Sequence, residues 1–269
     1  MRPDIVWTTG GYIGVSVSIA AFILRIPVWL HCSDAALSLS DRCIGRFAVR
    51  ISSAFPVEHF PPWFRARTEE SGQPIRRCIR EGVAASGLRL TGFSGRRPIL
   101  LVIGGSQGSL NINQAIDRCF DDLINVADII HLTGKGKAID RQHARYVALP
   151  FSDEQLPHFY TIATIVISRA GGSALAELAA VQKPSIIIPL EGVGEDHQVR
   201  NAESLASRGA VVLLRESALT TLPDVVRQLL QDSSLRERLS QSFSHAYRSQ
   251  ASEVIAQNIV DVLRSSSVE

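Results

Sequence analysis

The most regular pattern in the chain is a short apolar run followed by a glycine-rich turn and an amphipathic helix. The run at residues 99–103 contains no polar residue, which is typical of a strand buried on both faces of a parallel sheet. It ends at the turn GGSQG, residues 104–108, and apolar positions at helical spacing follow within residues 110–120. Because the first turn of a helix has unpaired backbone N–H groups, this pattern predicts an anion site at the turn, and an ordinary strand–helix turn without a ligand is an equally good interpretation of the turn alone.

The turn at residues 104–108 differs from two common nucleotide-binding motifs. It lacks the G-x-G-x-x-G spacing of dinucleotide-binding folds, and the next predicted strand, 128–132, ends without the acidic residue that would hold a ribose. It also lacks the Gly-Lys-Ser/Thr sequence with which a P-loop enters its helix. These differences argue against a nicotinamide-dependent oxidoreductase and against a P-loop nucleotidase.

After residue 98 the chain alternates between short apolar runs and helical patterns. Six runs are predicted to be strands, at residues 99–103, 128–132, 146–149, 164–167, 184–188 and 210–214. A second glycine turn, residues 169–173, follows the fourth run. Three helical stretches, 219–231, 234–247 and 252–264, end the chain. Strands that alternate with helices predict a parallel α/β sheet with helices on both faces.

The N-terminal part predicts only a portion of a second α/β unit. Two strands, residues 5–7 and 27–31, flank an apolar stretch at 12–24, which is too short to span a bilayer and is predicted to be a buried helix. Another helical pattern covers residues 40–54. Two strands with one crossover helix do not complete a doubly wound sheet, so we expect a truncated Rossmann-like domain here. A turn at residues 72–76 is the predicted linker.

Charge is distributed unevenly along the chain. The net charge is +2, yet residues 1–97 hold 13 arginines, no lysine and seven acidic residues, which gives +6. Arg42, Arg46 and Arg50 would form one stripe on the helix predicted at 40–54. Such a surface fits anionic lipid headgroups or a nucleic acid, and a solvated basic face is an equally good interpretation.

The four cysteines, at positions 32, 43, 78 and 119, form no C-x-x-C motif and have no histidine at ligand spacing. This pattern favours a reducing compartment and argues against a structural zinc site. The cysteines thus predict no metal site, and we expect no cofactor.

Glu177 lies one turn inside the helix that follows the second glycine turn. Both glycine turns follow predicted parallel strands, and the carboxyl ends of such strands form the ligand-binding edge of an open α/β sheet. A carboxylate at that edge is suited to accept hydrogen bonds from both hydroxyls of a ribose. The alternative interpretation is a generic acidic residue near a helix N-terminus.

Three segments of the C-terminal half resemble the MurG family of bacterial peptidoglycan glycosyltransferases, in glycosyltransferase family 28. They are GGSQGS at 104–109, RAGGSxxxELA at 169–179 and EDHQxxNA at 195–202. Further landmarks occur in the same order in the N-terminal half: GGY at 10–12, IPVxLH at 26–31, AFP at 54–56 and GxPxR at 72–76. The resemblance implies a GT-B fold, a pair of Rossmann-like domains with the N-terminal one truncated, and transfer of N-acetylglucosamine from UDP-GlcNAc to lipid I.

The resemblance also implies roles for individual residues. The nucleotide would be held by Gly105, Ser106 and Gln107 at the diphosphate, Phe151, Ser152 and Arg169 at the uracil, and Glu177 at the ribose. The sugar would be held by His197, Gln198 and Asn201. Arg76, after the linker, would neutralise charge on the departing diphosphate. The last helix would cross back to the N-terminal domain, which gives domains at 1–71 and 72–250 and a returning segment at 251–269.

The sequence departs from the family where a catalytic base is expected. The family carries a histidine on its first strand–helix turn, and the resemblance begins after that turn. The family's His-Glu-Gln-Asn segment is here His31-Cys32-Ser33-Asp34, so its glutamate is also replaced. His31 and Asp34 are the nearby stand-ins.

Three functional hypotheses follow. The first is a peripheral enzyme at the cytoplasmic face of the cell membrane, acting on UDP-GlcNAc and lipid I beside anionic lipid, with a separate chain supplying the missing half-domain. The second is a non-catalytic UDP-sugar-binding module. The third is a basic nucleic-acid binder, which lacks interleaved aromatic residues and a recognised motif. We favour the first and expect no nucleic-acid partner.

Overall fold

The computed structural model describes residues 3–58, 60–246 and 251–266, which form two parallel β-sheets. The N-terminal sheet has four strands in the spatial order β1-β2-β3-β4. They span Val6–Thr8, Val28–Cys32, Arg50–Ser53 and Thr68–Glu70. All neighbouring pairs in this sheet are parallel.

The predicted helix at 40–54 is wrong in its second half. Helix α2 (Leu39–Ile44) begins with a capping box between Ser38 and Asp41 and then gives way to β3. Residues 50–53 pair with β2 on one side and β4 on the other, and this pairing outweighs a weak local helical pattern. Arg50 therefore lies on a strand and forms no helical stripe with Arg42 and Arg46.

The second sheet contains all six predicted strands, in the order β10-β9-β8-β5-β6-β7. They span Ile99–Ile103 (β5), Asp128–Leu132 (β6), Tyr146–Leu149 (β7), Ile165–Ser168 (β8), Ser185–Ile187 (β9) and Val212–Leu213 (β10). The chain runs outward from β5 through β6 and β7 and then returns to β8 on the other side of β5. The strand order thus reverses between β5 and β8, where open α/β sheets form a ligand-binding crevice.

Helices cover the faces of both sheets. Besides α2, they are α1 (Gly11–Ile23), α3 (Pro62–Arg65), α4 (Ala84–Thr91), α5 (Leu110–Arg118), α6 (Phe120–Val126), α7 (Leu156–Ile162), α8 (Gly172–Ala180), α9 (His197–Ala206), α10 (Leu222–Gln231), α11 (Ser233–Ala246) and α12 (Ala251–Ser266). The last three match the predicted terminal helices, although residue 247 and the domain boundary predicted at 250 fall outside the described residues. In α12, Asn258 donates a hydrogen bond to Glu69 of β4, 2.7 Å away.

Helix α1 corrects another prediction, because it is not buried. Only Ser18 and Ala21 of this helix are buried, whereas Tyr12 is 95% and Ile13 is 82% exposed. Apolar residues occur on all sides of this helix. A narrow stripe of the helix faces the sheet, and the other apolar side chains face outward. Among the described helices, none is both long and apolar enough to cross a membrane.

Candidate active site

A cleft of about 740 Å³ lies at the carboxyl edge of the second sheet. Loops after β5, β6, β7 and β8 line it, together with the start of α8 and Arg76 from the linker between the sheets. The sequence-predicted residues that line it are Arg76, Gly105, Ser106, Gln107, Phe151, Ser152, Arg169, Glu177 and Gln198. The fold therefore brings most of the predicted donor site into one cavity.

The first glycine turn is held close to the N-terminus of α5. Ser109 caps this helix, and its Oγ accepts a hydrogen bond from the backbone N–H of Ile112. Gly105 and Gly108 have φ of +89° and +68°, a conformation that L-residues adopt only with strain. A Cβ on Gly108 would lie 2.2 Å from the carbonyl oxygen of Thr133, so the turn also packs against the loop after β6.

Arg169 is almost entirely buried and links the second glycine turn, which it begins, to Ser109 after the first glycine turn. Its Nη1 donates to the carbonyl oxygens of Ile188 and Pro189 at 3.1 and 2.9 Å. Its Nη2 donates to Ser109 Oγ at 2.6 Å and pairs with Glu216 at 2.5 Å. The guanidinium thus joins the ends of β8 and β9 to the cap of α5, while its side chain forms part of the cleft wall.

Glu177 stands at the centre of a small polar network. Its Oε1 accepts from Arg76 Nη2 and Nε at 3.1 and 3.3 Å, and Arg76 also pairs with Asp153. The hydroxyl of the buried Tyr160 donates to Glu177 Oε2 at 3.4 Å. Burial raises the pKa of Tyr160 well above its usual value, and the charge of Glu177 raises it further. The phenol therefore stays protonated and can donate the hydrogen bond to Glu177. The carboxylate is therefore placed and oriented from two sides.

Phe151 and Ser152 form the wall beside β7. The Phe151 ring is 60% exposed, so one face is available for stacking. Ser152 is buried, and among the described residues its Oγ has no hydrogen-bond partner. A buried hydroxyl of this kind usually has a partner, and at this position a ligand in the cleft can supply one.

The three residues predicted to hold the sugar have different surroundings. Gln198 lines the cleft, and its Oε1 accepts from the backbone N–H groups of Ala170 and Leu190. His197 Nδ1 lies 2.7 Å from the carbonyl oxygen of Gly194 and borders a neighbouring pocket instead. Asn201 is completely buried and does not line the cleft.

The fold does not bring His31 into the cleft. This side chain is completely buried, with Nδ1 2.9 Å from Ser52 Oγ and Nε2 2.9 Å from Gln73 Oε1. Burial lowers its pKa, partly offset by the hydrogen bond to Gln73. Asp34 lines the neighbouring pocket, a cavity of about 340 Å³ between the two sheets, where its Oδ1 accepts from Asn201 Nδ2 at 2.7 Å.

The sequence analysis assigned no role to the polar cleft residues Lys137, Asp153 and Tyr160. Asp153 immediately follows the predicted Phe151-Ser152 pair, and Lys137 ends the sequence TGKGK after β6. A glycine-rich, basic segment at the end of a third parallel strand is a signal that could have identified Lys137. Tyr160 lies within an amphipathic helix and has no comparable local signal.

A nucleotide-sized cleft at the carboxyl edge of one Rossmann-like sheet, facing a second parallel sheet, defines the GT-B class of glycosyltransferase folds. The family model named glycosyltransferase family 28 C-terminal domain matches residues 99–258. The chain therefore belongs to glycosyltransferase family 28, as its glycine turns predicted.

Similar proteins agree with this assignment. The chain is 39% identical over 235 residues to a UDP-N-acetylglucosamine–N-acetylmuramyl-(pentapeptide) pyrophosphoryl-undecaprenol N-acetylglucosamine transferase of Shouchella clausii, covering 85% of the chain and 66% of that protein. It is 36% identical to a protein of the same description from Lachnospira eligens, covering 86% of the chain and 67% of the relative. The chain thus spans about two thirds of the length of these relatives.

Solved structures show the same fold. The crystal structure of Acinetobacter baumannii MurG superposes with a TM-score of 0.71 at 25% identity, covering 97% of this chain and 73% of that one. A UDP-GlcNAc 2-epimerase from Neisseria meningitidis, solved with UDP-GlcNAc bound, superposes with a TM-score of 0.64 at 14% identity, covering 96% of this chain and 76% of that one. At that identity the second likeness concerns the fold alone.

Proposed function

We propose that the chain transfers N-acetylglucosamine from UDP-GlcNAc to the muramoyl 4-hydroxyl of lipid I, which forms lipid II. The observation that carries this proposal is one cleft in which the first glycine turn, at the N-terminus of α5, and an oriented Glu177 lie side by side. Family membership and the names of the relatives supply the identity of the sugar and the acceptor.

In this proposal the cleft binds the donor along its length. The diphosphate lies at the N-terminus of α5, where N–H groups and the helix dipole favour negative charge. Uracil lies against Phe151 and hydrogen-bonds with Ser152, and the ribose hydroxyls bind Glu177. Because Glu177 now pairs with Arg76, the ribose must open that pair. Arg76 then loses Glu177 but keeps its ion pair with Asp153 in the cleft wall, and in this proposal it turns toward the diphosphate.

The chemical step needs stabilisation of the leaving group and removal of a proton. The acceptor oxygen forms a bond to C1 of the sugar, the bond from C1 to the diphosphate oxygen breaks, and the electron pair leaves with UDP. Arg76 and the helix N-terminus favour the charge that develops on the diphosphate. Of the two predicted stand-ins, we propose Asp34 as the proton acceptor, because it lines the pocket between the sheets, whereas His31 is completely buried and both of its ring nitrogens are hydrogen-bonded.

The acceptor side of the proposal includes a membrane surface. The exposed face of α1 presents Tyr12, Ile13, Phe22 (60% exposed) and Ile23 (72% exposed) beside an arginine-rich N-terminal part. An apolar helix face near basic residues fits the interface of an anionic bilayer. We propose peripheral attachment at the cytoplasmic face of the cell membrane, which brings the pocket between the sheets near a lipid-linked acceptor.

The first test is calorimetric titration of UDP-GlcNAc into the wild-type chain and Glu177→Gln. Hydrogen bonds to a charged group contribute about 1.5–3 kcal/mol each, so we expect Glu177→Gln to weaken binding roughly tenfold or more. Glu81→Gln is the matched control, since Glu81 is an exposed glutamate that pairs with Arg77 outside the cleft. A folded wild-type chain that binds neither UDP nor UDP-GlcNAc would contradict the donor site.

A second test measures transfer from labelled UDP-GlcNAc to lipid I in anionic and neutral vesicles. We expect lipid II to form faster on anionic vesicles, with and without the family's N-terminal segment added as a separate chain. Donor binding without transfer under any of these conditions would favour the non-catalytic binding module.

A further inference from the structure

Lys137 is a cation that closes over the first glycine turn from the loop after β6. Its Nζ donates to the carbonyl oxygens of Gln107 and Gly108 at 2.8 and 3.2 Å. The two loops also touch through their backbones, because a Cβ on Gly134 would lie 2.6 Å from the carbonyl oxygen of Gln107. The ammonium group thus donates hydrogen bonds to two carbonyl oxygens of the turn that is proposed to bind the diphosphate.

A buried polar network fixes the loop that carries Lys137. Asn113 Nδ2 donates to the carbonyl oxygens of Thr133 and Lys137, each at 2.8 Å. Asn113 Oδ1 lies 3.0 Å from His131 Nε2, and both side chains are buried. Since Asn113 belongs to α5, the helix of the glycine turn also holds the loop that supports that turn.

The direction of the Lys137 contacts matters for anion binding. In a trans peptide the carbonyl and the N–H of the next residue point in opposite directions. When Lys137 holds the carbonyl of Gly108, the N–H of Ser109 is therefore turned away from the ammonium, toward the opposite side of the peptide. Lys137 also covers two carbonyl oxygens whose partial negative charge would oppose an anion.

We propose that Lys137 is a positioning residue that holds the glycine turn in its anion-binding form and so sets the preference of the cleft for a nucleoside diphosphate over the nucleoside. This inference rests on the proposed donor site. It adds a residue outside the matched motifs, which acts on the diphosphate through the backbone of residues 107–109.

The test compares UDP and uridine binding by calorimetry for the wild type, Lys137→Met, Lys137→Arg and Lys135→Met. Lys135 is the matched control, because it is an exposed lysine two residues earlier in the same loop. We expect Lys137→Met to weaken UDP binding roughly tenfold or more and to leave uridine binding within about twofold of the wild type. Lys137→Arg should restore most of the UDP affinity, and Lys135→Met should change neither ligand.

Each other outcome has a definite meaning. Equal loss of UDP and uridine affinity in Lys137→Met would show a general structural role and overturn the proposal, as would unchanged UDP affinity. Thermal melting of each variant establishes that it is folded, and the arginine variant tests the charge if the methionine variant unfolds. A folded wild-type chain that binds uridine but not UDP overturns this inference, whereas one that binds neither overturns the proposed donor site itself.

Discussion

At the scale of single residues, a buried histidine of the second sheet is paired with two buried polar side chains. His131 is completely buried, with Nδ1 3.0 Å from the Tyr146 hydroxyl and Nε2 3.0 Å from Asn113. Burial lowers the pKa of His131 to about 4. The imidazole therefore stays neutral in the folded chain at pH values where it is already charged in the unfolded chain.

This difference predicts an acid-dependent loss of stability. The unfolded-state pKa of histidine is about 6.5, so between pH 6.5 and 4 the unfolded chain binds more protons and stability falls as the pH is lowered. Over that interval His131 should lower the free energy of unfolding by up to about 3 kcal/mol. Urea unfolding from pH 7 to pH 4 should show a steeper decline for the wild type than for His131→Gln. A ring titration near pH 6.5 by NMR would contradict the prediction.

Individual site residues were predictable from the sequence, but their contacts with distant residues were not. Glu177 was predicted from its place after a glycine turn, and the cleft contains it. Its pairing with Arg76 could not be predicted, because 101 residues separate the two side chains along the chain. The burial of His31 was likewise invisible, since Ser52 and Gln73 reach it only through the folding of the N-terminal sheet.

At the scale of elements, the first glycine turn depends on close backbone contact and not only on positive φ. Gly92 and Gly108 have similar φ, +72° and +68°, yet a Cβ on Gly92 would meet nothing within 4 Å. A Cβ on Gly108 would lie 2.2 Å from Thr133 O and 2.6 Å from Gly134 Cα. A side chain at Gly92 would therefore meet only backbone strain, whereas a side chain at Gly108 would meet backbone strain and steric overlap.

Alanine substitution at these two glycines should therefore have unequal effects. Gly92→Ala should lower the free energy of unfolding by about 1–2 kcal/mol, the typical penalty of the left-handed conformation. Gly108→Ala should lower it further and should also weaken UDP binding, since the turn must move away from the loop after β6. Chemical denaturation and calorimetry measure the two effects. Equal losses of stability would mean that the contact with Thr133 relaxes without penalty.

Elements with strong local patterns were predictable, and those fixed by neighbours were not. β5 is apolar throughout and is followed by glycines, so its position follows from the sequence alone. β3 begins with Arg50 and ends with two serines, and it is a strand because β2 and β4 flank it. Helix α1 was correctly placed but wrongly judged buried, since hydrophobicity does not indicate which face meets the sheet.

At the scale of the whole molecule, Asn201 joins the two sheets through a buried amide. Its Oδ1 accepts from the backbone N–H of Ala35, and its Nδ2 donates to Asp34 Oδ1 and to Ala170 O. The junction is tight, because a Cβ on Gly172 would lie 2.3 Å from the carbonyl oxygen of Ser33. Contact between Asn201 and the sugar stays a prediction, and in this structure the side chain links α9 to the loop after β2.

Substitution of Asn201 should loosen this junction. Asn201→Ala leaves the Ala35 N–H without its partner and should lower the free energy of unfolding by about 1–3 kcal/mol. Asn201→Asp should lower it more, because a second carboxylate would face Asp34 and a carbonyl oxygen. Asn258→Ala removes a surface hydrogen bond between α12 and β4 and should stay within about 0.5 kcal/mol. Urea unfolding measures the free energy of unfolding of the three variants and so the order of their losses. An Asn201→Asp variant as stable as the wild type would contradict the prediction.

The sequence by itself determined the α/β class, the six strands of the second sheet, both glycine turns and the family, because these depend on local patterns of apolar residues and glycine. The tertiary structure decided which predicted residues share a cleft, which are buried supports and which face of α1 is exposed. Lys137 approaches the first glycine turn only because β6 lies beside β5, and Asn201 bridges to Asp34 only because the two sheets meet there. Such contacts join residues far apart in the chain, so no local pattern encodes them.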